Sequence, residues 1–149
     1  MNEPLTMSFD VACSPEHAFS VWTTGIGSWW PRDHTVTGRP DLDVVLQGRL
    51  GGRIYERTSD GVEHDWGEVT LWEPPTRLAY IWHIGQDRAN ATEVEVRFSA
   101  QGAADTRIDI EHRGWQRLGA AGEERRAQNR GGWEALLPRF LAAIAKGDR

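Results

Sequence analysis

The fold follows from residues 92–112, whose sequence is TEVEVRFSAQGAADTRIDIEH. Two segments here alternate apolar and polar side chains, Thr92 to Ser99 and Thr106 to His112, with Gly102 between them. This period of two predicts a pair of antiparallel strands, each with one face in the core and one in water. After His112 the apolar residues recur at helical spacing, which predicts a long C-terminal helix that carries Trp133, Leu137, Phe140 and Ile144.

Residues that interrupt strands recur at strand-length intervals upstream of this pair. From Asp43 to His112, glycine, proline and asparagine divide the chain into segments that predict six short antiparallel strands. Another strand is expected at Met7–Ala12, followed by a helix that begins at Ser14-Pro15. A sheet with one wet face must cover its other face, and the C-terminal helix is the only large apolar element left. The sequence therefore predicts an α+β fold in one domain, residues 1–149, with the sheet curled around that helix.

Composition limits the classes of function. The 149 residues carry 17 Lys and Arg against 22 Asp and Glu, a net charge of −5, so binding to nucleic acid is not expected. A single cysteine, Cys13, excludes an internal disulfide, and no apolar run is long enough for membrane insertion. No signal-peptide core follows Met1, so we expect a cytoplasmic protein. The unusual feature is the set of eight tryptophans: Trp22, Trp29, Trp30, Trp66, Trp72, Trp82, Trp115 and Trp133.

One hairpin can be predicted residue by residue. If Asp60-Gly61 forms a two-residue type I′ turn, Tyr55 faces Trp66 and Arg53 faces Glu68. The last two would form an ion pair, either at the concave face of the sheet or on its solvent side.

The register of the next strand decides between those two positions. The Pro74-Pro75 turn fits either register, and a slip of one residue moves every side chain to the other face. We favour the register in which the inward side chains of the two strands are Trp66, Thr70, Trp72, Tyr80 and Trp82. That choice places the Arg53–Glu68 pair at or inside the concave face.

Short motifs run through the chain in a fixed order. They are Gly48-Arg-Leu-Gly-Gly-Arg53, Asp60-Gly61, Gly67-Glu68-Val69, Glu73-Pro74-Pro75, Arg77-Leu78, Trp82, Thr92-Glu-Val94 and Gly132-Trp133-Glu-Ala-Leu-Leu137. Together they resemble the SRPBCC superfamily and, within it, the family related to the activator of the heat-shock-protein-ninety ATPase. The resemblance implies a helix-grip fold, a curved antiparallel sheet wrapped around a long C-terminal helix with a cavity between them. START domains, birch-pollen-allergen-like proteins and polyketide aromatase/cyclases are similar in shape.

A cavity of this kind suggests a ligand site. Rigid aromatic walls with a few polar groups suit a flat or apolar guest, although the same residues could equally pack a core. Alternation with Ile108 and Ile110 directs His112 inward, where a histidine held by a neighbour is the more frequent case. The candidate ligand-binding residues are Trp30, Arg53, Tyr55, Trp66, Glu68, Tyr80, Trp82, His112, Trp133 and Leu137.

No motif for cofactor binding or catalysis is present. The chain lacks a Gly-x-Ser-x-Gly elbow and a phosphate-binding loop, and its five histidines show no metal-ligand spacing. A site built across strands from His64, Asp65 and His83 is the remaining metal hypothesis. The favoured interpretation is a module that binds a small hydrophobic or aromatic molecule without a cofactor.

Two other functions stay open. A cyclase- or dehydratase-like enzyme would require Arg53, Glu68 and His112 to converge on a common void. A protein that acts with a chaperone would need an exposed aromatic patch, for which Trp29-Trp30 and Trp115 are the candidates. Pairing with a second copy of the chain is a further hypothesis on partners.

Overall fold

The computed structural model describes residues 3–147, and within them seven antiparallel strands form one curled sheet. The strands are β1 Leu5–Val11, β2 Leu42–Leu46, β3 Arg53–Thr58, β4 Glu63–Glu73, β5 Arg77–Trp82, β6 Thr92–Gly102 and β7 Asp105–Arg113. Their order across the sheet is β1-β7-β6-β5-β4-β3-β2. Strands β2 to β7 therefore form a simple meander, as the sequence predicts, and β1 pairs with β7 at one edge.

Two α-helices pack against this sheet, α1 Pro15–Trp22 and α2 Gly122–Gly147. The side chain of Ser14 accepts a hydrogen bond from the His17 backbone N–H (3.2 Å), which confirms the predicted N-cap. The 3₁₀ turns are Ile26–Ser28, Arg32–His34, Arg88–Asn90 and Trp115–Ala121. In residues 3–147 no helix has both the length and the apolar character that crossing a membrane requires.

The core lies between the concave face of the sheet and the two helices. Trp22 joins all three: its ring centroid lies 4.9 Å from that of Phe140 on α2 and 6.4 Å from that of Phe98 on β6. Trp133 stacks on the same indole at 5.9 Å. The sheet thus wraps around α2, and the predicted α+β helix-grip fold is confirmed.

The β3–β4 hairpin differs from its predicted form. Thr58 pairs with Val62, its N–H donating to the Val62 carbonyl at 3.0 Å, so the loop holds three residues and Gly61 adopts a φ of +86°. The predicted two-residue turn is therefore wrong. A glycine in the left-handed region at the third loop position is typical of a three-residue hairpin loop. Tyr55 lies opposite Asp65, and not opposite Trp66.

Two bulges in β4 decide which side chains face inward. The first, at Trp66, brings Arg53 opposite Glu68 as predicted, and the second leaves Thr70 outside the ladder. Trp66 and Trp72 belong to the concave side, but Thr70 is exposed, contrary to prediction, since each bulge shifts the alternation by one residue.

The ion pair predicted at the concave face does not form. Arg53 binds Asp65 (Nη2 to Oδ1 2.5 Å), and Glu68 binds Arg88 (3.1 Å), both on the partly exposed outer side of the sheet. The same bulge at Trp66 explains this placement, because it puts Trp66 and Gly67 together on the concave side and sends Glu68 outward.

Candidate ligand-binding site

A cavity of ≈ 310 Å³ opens between the end of β5, the start of β6 and helix α2. Its aromatic walls are Trp30, Tyr80, Trp82 and Trp133. The loop at residues 34–36 and the segment at residues 83–86 complete the rim, and α2 contributes Gly132 and Leu136. The cavity therefore lies where the sequence predicts one, between the sheet and the C-terminal helix.

The cavity exists because the helix carries glycine at this level. A Cβ atom built at Gly132 meets no atom within 4 Å, and the same is true of the neighbouring Gly131. One and two helical turns further along, Leu136 and Phe140 carry large side chains that pack into the core. Strand β5 also ends at Trp82, so the sheet does not close over this part of α2.

The indole rings of the wall are held in place by their own N–H groups. Trp30 donates to the His34 carbonyl at 2.8 Å, and its ring lies 5.6 Å from Trp82 and 5.1 Å from Trp66. Trp66 lies behind the wall and donates to Glu56 at 2.8 Å. Because these N–H groups are satisfied within the protein, the rings offer mainly apolar surface to the cavity.

His112 holds the wall from behind. Trp133 Nε1 can only donate, so Nδ1 of His112 accepts its hydrogen bond (3.1 Å) and Nε2 carries the proton. That proton is donated to Thr92 Oγ1 (2.7 Å), and the Thr92 hydroxyl donates in turn to the Trp82 carbonyl (3.4 Å). Burial lowers the pKa of His112 to about 3, so the ring is neutral at pH 7. His112 thus positions two residues of the lining, Trp133 and Thr92.

Glu56 is a buried carboxylate that the sequence analysis missed. It accepts hydrogen bonds from Trp66 Nε1 and from the backbone N–H groups of Val36 (2.5 Å) and Thr37 (3.0 Å). Burial raises the pKa of the Glu56 carboxyl, but these donors outweigh it and hold the pKa below its usual value. Glu56 therefore fastens the rim loop to the sheet as an ion. Its inward position could have been found, since it alternates with Ile54 and Thr58 on β3.

His83 and Tyr80 supply polar groups to the cavity. His83 lies just after β5, is 6% exposed, and its Nδ1 atom has no hydrogen-bond partner. Burial raises the pKa of the Tyr80 hydroxyl, so that group stays protonated at neutral pH. In the sequence His83 is only a metal-ligand hypothesis, because strand alternation predicts it on the face opposite Tyr80 and Trp82; the strand ends at Trp82, and His83 is buried.

The structure brings seven of the ten candidate residues to one region. Trp30, Tyr80, Trp82 and Trp133 line the cavity. Trp66 and His112 are buried behind its wall, and Leu137 is partly buried against the core while its neighbour Leu136 lines the cavity. The other three are separated from this region on the outer side of the sheet: Arg53, Tyr55 and Glu68.

This separation tests the enzyme hypothesis, which requires Arg53, Glu68 and His112 to converge on a common void. The Arg53 guanidinium lies 4.3 Å from the centre of the Tyr55 ring and binds Asp65, while Glu68 binds Arg88. His112 is fully buried on the other side of the sheet. The three side chains do not converge on a common void, so this particular set is excluded.

The aromatic patch predicted at the surface is not there. Trp29 is 5% exposed, Trp30 7% and Trp115 0%. Trp29 donates to the Val21 carbonyl (2.8 Å) and Trp115 to the His112 carbonyl (3.0 Å), which draws both indoles inward. The surface that the chaperone hypothesis requires is therefore not formed by these residues.

Metal-ligating side chains do not cluster in the part of the chain that the structure describes. Among residues 3–147 no group of three His, Cys, Asp or Glu side chains is placed to hold a metal ion. His64 and Asp65 are consecutive in β4 and point to opposite faces of the sheet.

Residues 12–146 match the family described as activator of Hsp90 ATPase homolog 1-like protein. The chain belongs to this family. The match confirms the resemblance drawn from the motifs, and it covers strands β2 to β7, helix α1, all but the last residue of α2, and the cavity. No match was found among curated proteins.

Solved structures of similar proteins include two with related sequences. The self-sacrificing resistance protein CalC from Micromonospora echinospora is 28% identical, with a TM-score of 0.74 over 98% of this chain and 96% of that one. The anthrahydroquino-γ-pyrone synthase Txn09 is 35% identical, with a TM-score of 0.59 over 85% and 86%. An HSP90 activator from Plasmodium falciparum is 16% identical, with a TM-score of 0.64 over 96% of each chain, and shows the fold alone.

Proposed function

We propose that this protein binds one small, flat aromatic molecule in the cavity between β5 and α2. The observation that carries the proposal is the set of four aromatic walls, Trp30, Tyr80, Trp82 and Trp133, around a volume of ≈ 310 Å³. Ligand pockets span roughly 300–1,000 Å³, so this cavity suits one compact guest better than a long lipid chain. Aromatic faces favour stacked or edge-on contact with such a guest.

The name of one relative supports an aromatic guest. The synthase that is 35% identical makes a product whose name specifies an anthrahydroquinone fused to a pyrone. The similarity extends over 85% of this chain. A planar ring system of that kind fits between walls built from indole and phenol rings.

A titration with a neutral probe tests the proposal. Anthraquinone-2-carboxamide should quench the intrinsic tryptophan fluorescence of the wild-type protein saturably. Gly132→Leu places an apolar side chain in the cavity and should weaken binding about tenfold or more, since overpacking costs about 1–3 kcal/mol. Gly131→Leu is the matched control, because Gly131 is exposed and does not line the cavity.

The two leucine variants also define the result that would contradict the proposal. Equal affinity in wild type, Gly132→Leu and Gly131→Leu would place the probe elsewhere and overturn the proposal. Native mass spectrometry of the freshly purified protein gives an independent measurement, because a retained guest adds its own mass to that of the chain.

An enzyme of the cyclase type is the second candidate. The favouring observation is the 35% identity to a synthase, together with His83, whose Nδ1 has no partner in a residue that lines the cavity. A histidine nitrogen of this kind can accept a proton from a bound substrate. Conversion of an anthraquinone-type polyketide by the wild-type protein, lost in His83→Gln while the carboxamide probe still binds, would support catalysis. Binding without conversion would leave the protein a binding module.

A further inference from the structure

The cavity lining carries positive charge and no negative charge. Among the residues that line it, Arg125 bears the only permanent charge, and no carboxylate is present. This contrasts with the chain as a whole, which carries a net charge of −5. A cation facing an apolar cavity in an acidic protein implies an anionic group on whatever occupies that cavity, because an unmatched charge next to an apolar guest is unfavourable.

Arg125 also differs from Arg126 and Arg130 on α2, whose guanidinium groups have partners within the protein. The Arg126 guanidinium donates to the backbone carbonyls of Glu3 (2.8 Å) and Pro4 (3.3 Å). Arg130 lies 3.8 Å from Glu134. Within residues 3–147, the half-buried guanidinium of Arg125 makes neither an ion pair nor a hydrogen bond. Its donors are therefore available to a ligand.

The other polar residues of the lining are compatible with an oxygen-bearing guest. Gln128 and Asn129 follow Arg125 on α2, and Tyr80 and His83 lie across the cavity on the sheet side. The carboxamide groups and the protonated Tyr80 hydroxyl can donate hydrogen bonds to carbonyl or carboxylate oxygens. None of these groups is an anion, so none of them forms an ion pair with Arg125 in place of the guest.

We propose that the cavity selects an aromatic guest that carries a carboxylate, and that Arg125 sets this preference by binding the carboxylate. The inference rests on the proposed function, and it adds the charge of the ligand and the residue that recognises it. An arginine guanidinium matches a carboxylate with two parallel N–H donors, a geometry that lysine does not reproduce.

Two probes of matched shape test the preference, anthraquinone-2-carboxylate and anthraquinone-2-carboxamide. Each is titrated against wild type, Arg125→Gln, Arg125→Lys and Arg130→Gln, with the melting temperature measured to confirm folding. The wild type should bind the carboxylate about tenfold more tightly than the carboxamide, since hydrogen bonds to charged groups contribute about 1.5–3 kcal/mol. Arg125→Gln should remove that preference, with a larger loss of affinity for the carboxylate than for the carboxamide.

The remaining variants separate recognition from general electrostatics. Arg125→Lys should restore part of the preference, and Arg130→Gln, which removes one charge from the same helix outside the cavity, should behave as wild type. The preference should also shrink as salt is raised, because mobile ions screen a half-exposed charge.

The outcomes distinguish this inference from the proposed function. Equal binding of both probes to wild type, or an equal loss in Arg125→Gln and Arg130→Gln, overturns the role of Arg125 and leaves the aromatic site intact. Binding of neither probe overturns both proposals.

Discussion

The aromatic core has two ends that use the same residue types differently. At the closed end, Trp22 contacts Phe98, Phe140 and Trp29 and is 1% exposed. At the open end, Trp30, Tyr80 and Trp82 surround a cavity of ≈ 310 Å³. Trp133 belongs to both, since it stacks on Trp22 and also lines the cavity.

The difference comes from the helix, because aromatic residues are abundant at both ends. Phe140 and Ile144 of α2 fill the closed end, while Gly132 leaves the open end without a side chain from the helix. Whether a tryptophan packs in the core or lines the cavity therefore depends on the side chains of the helix turn opposite it. Substitutions at the two ends should separate stability from binding.

The largest effect is expected at the closed end. Trp22→Ala should lower the free energy of unfolding by about 3–5 kcal/mol, because it empties the centre of the core. Trp82→Ala should cost less than half as much, since that ring is partly exposed, but it should abolish most of the binding of the carboxamide probe. Urea unfolding and fluorescence titration measure the two quantities. A larger stability loss for Trp82→Ala would contradict the distinction between the two ends.

The next effect concerns His112 and pH. Burial lowers the pKa of His112 from 6.5 to about 3 in the folded protein, so between these two pH values the unfolded chain binds a proton that the folded chain does not. The free energy of unfolding should therefore fall with pH, by about 2 kcal/mol between about pH 6.5 and pH 5. His112→Gln, which does not titrate, should lack this part of the pH dependence.

A direct measurement covers the case in which that variant does not fold. Nitrogen chemical shifts of the His112 ring in the wild-type protein should show a neutral imidazole with the proton on Nε2 at about pH 5. A charged ring at that pH would contradict the assigned hydrogen-bond network.

A smaller effect is expected at the rim of the open end. Glu56→Gln keeps the shape of the side chain but removes the charge that holds the N–H groups of Val36 and Thr37. It should lower the free energy of unfolding by about 1–2 kcal/mol and speed hydrogen exchange at these two amides. Asp43→Asn, at an exposed position on β2, is the control and should change neither. Unchanged exchange in Glu56→Gln would show that the carboxylate does not fasten the loop.

The smallest effect is a gain in stability. Gly131→Ala adds a methyl group that meets no atom within 4 Å, and alanine favours a helix over glycine by about 1 kcal/mol. The melting temperature should rise while carboxamide binding stays the same. A fall in binding would place Gly131 in the site and weaken its use as a control.

Much of the architecture could be predicted because it depends on periodicity. The alternation in Thr92 to Ser99 and the helical spacing from Trp133 to Ile144 mark two elements without tertiary information. The Ser14-Pro15 start of α1 follows from local capping chemistry. The glycine pair in α2 likewise indicates where side chains are missing, and the cavity lies beside it.

The site was predicted less completely, because bulges decide on which face of the sheet a side chain lies. Arg53 and Glu68 are opposite each other as predicted, yet they face outward and bind other partners. The sequence does not indicate Arg125 as a site residue, because it lies in a run of charged residues with Glu123 and Glu124 that is typical of a solvated helix face. Only the packing of α2 against the end of β5 places it at the cavity.

The amino-acid order alone determines that seven strands and a long C-terminal helix form, and that the helix lacks a side chain at Gly132. These features are local, since backbone propensity and hydrogen bonding between near neighbours set them. The tertiary structure alone decides which tryptophans enclose a void, which charged groups face it and that Glu56 and His112 are buried behind its rim. Those properties depend on contacts between residues far apart in the chain, and a single bulge at Trp66 is enough to change them.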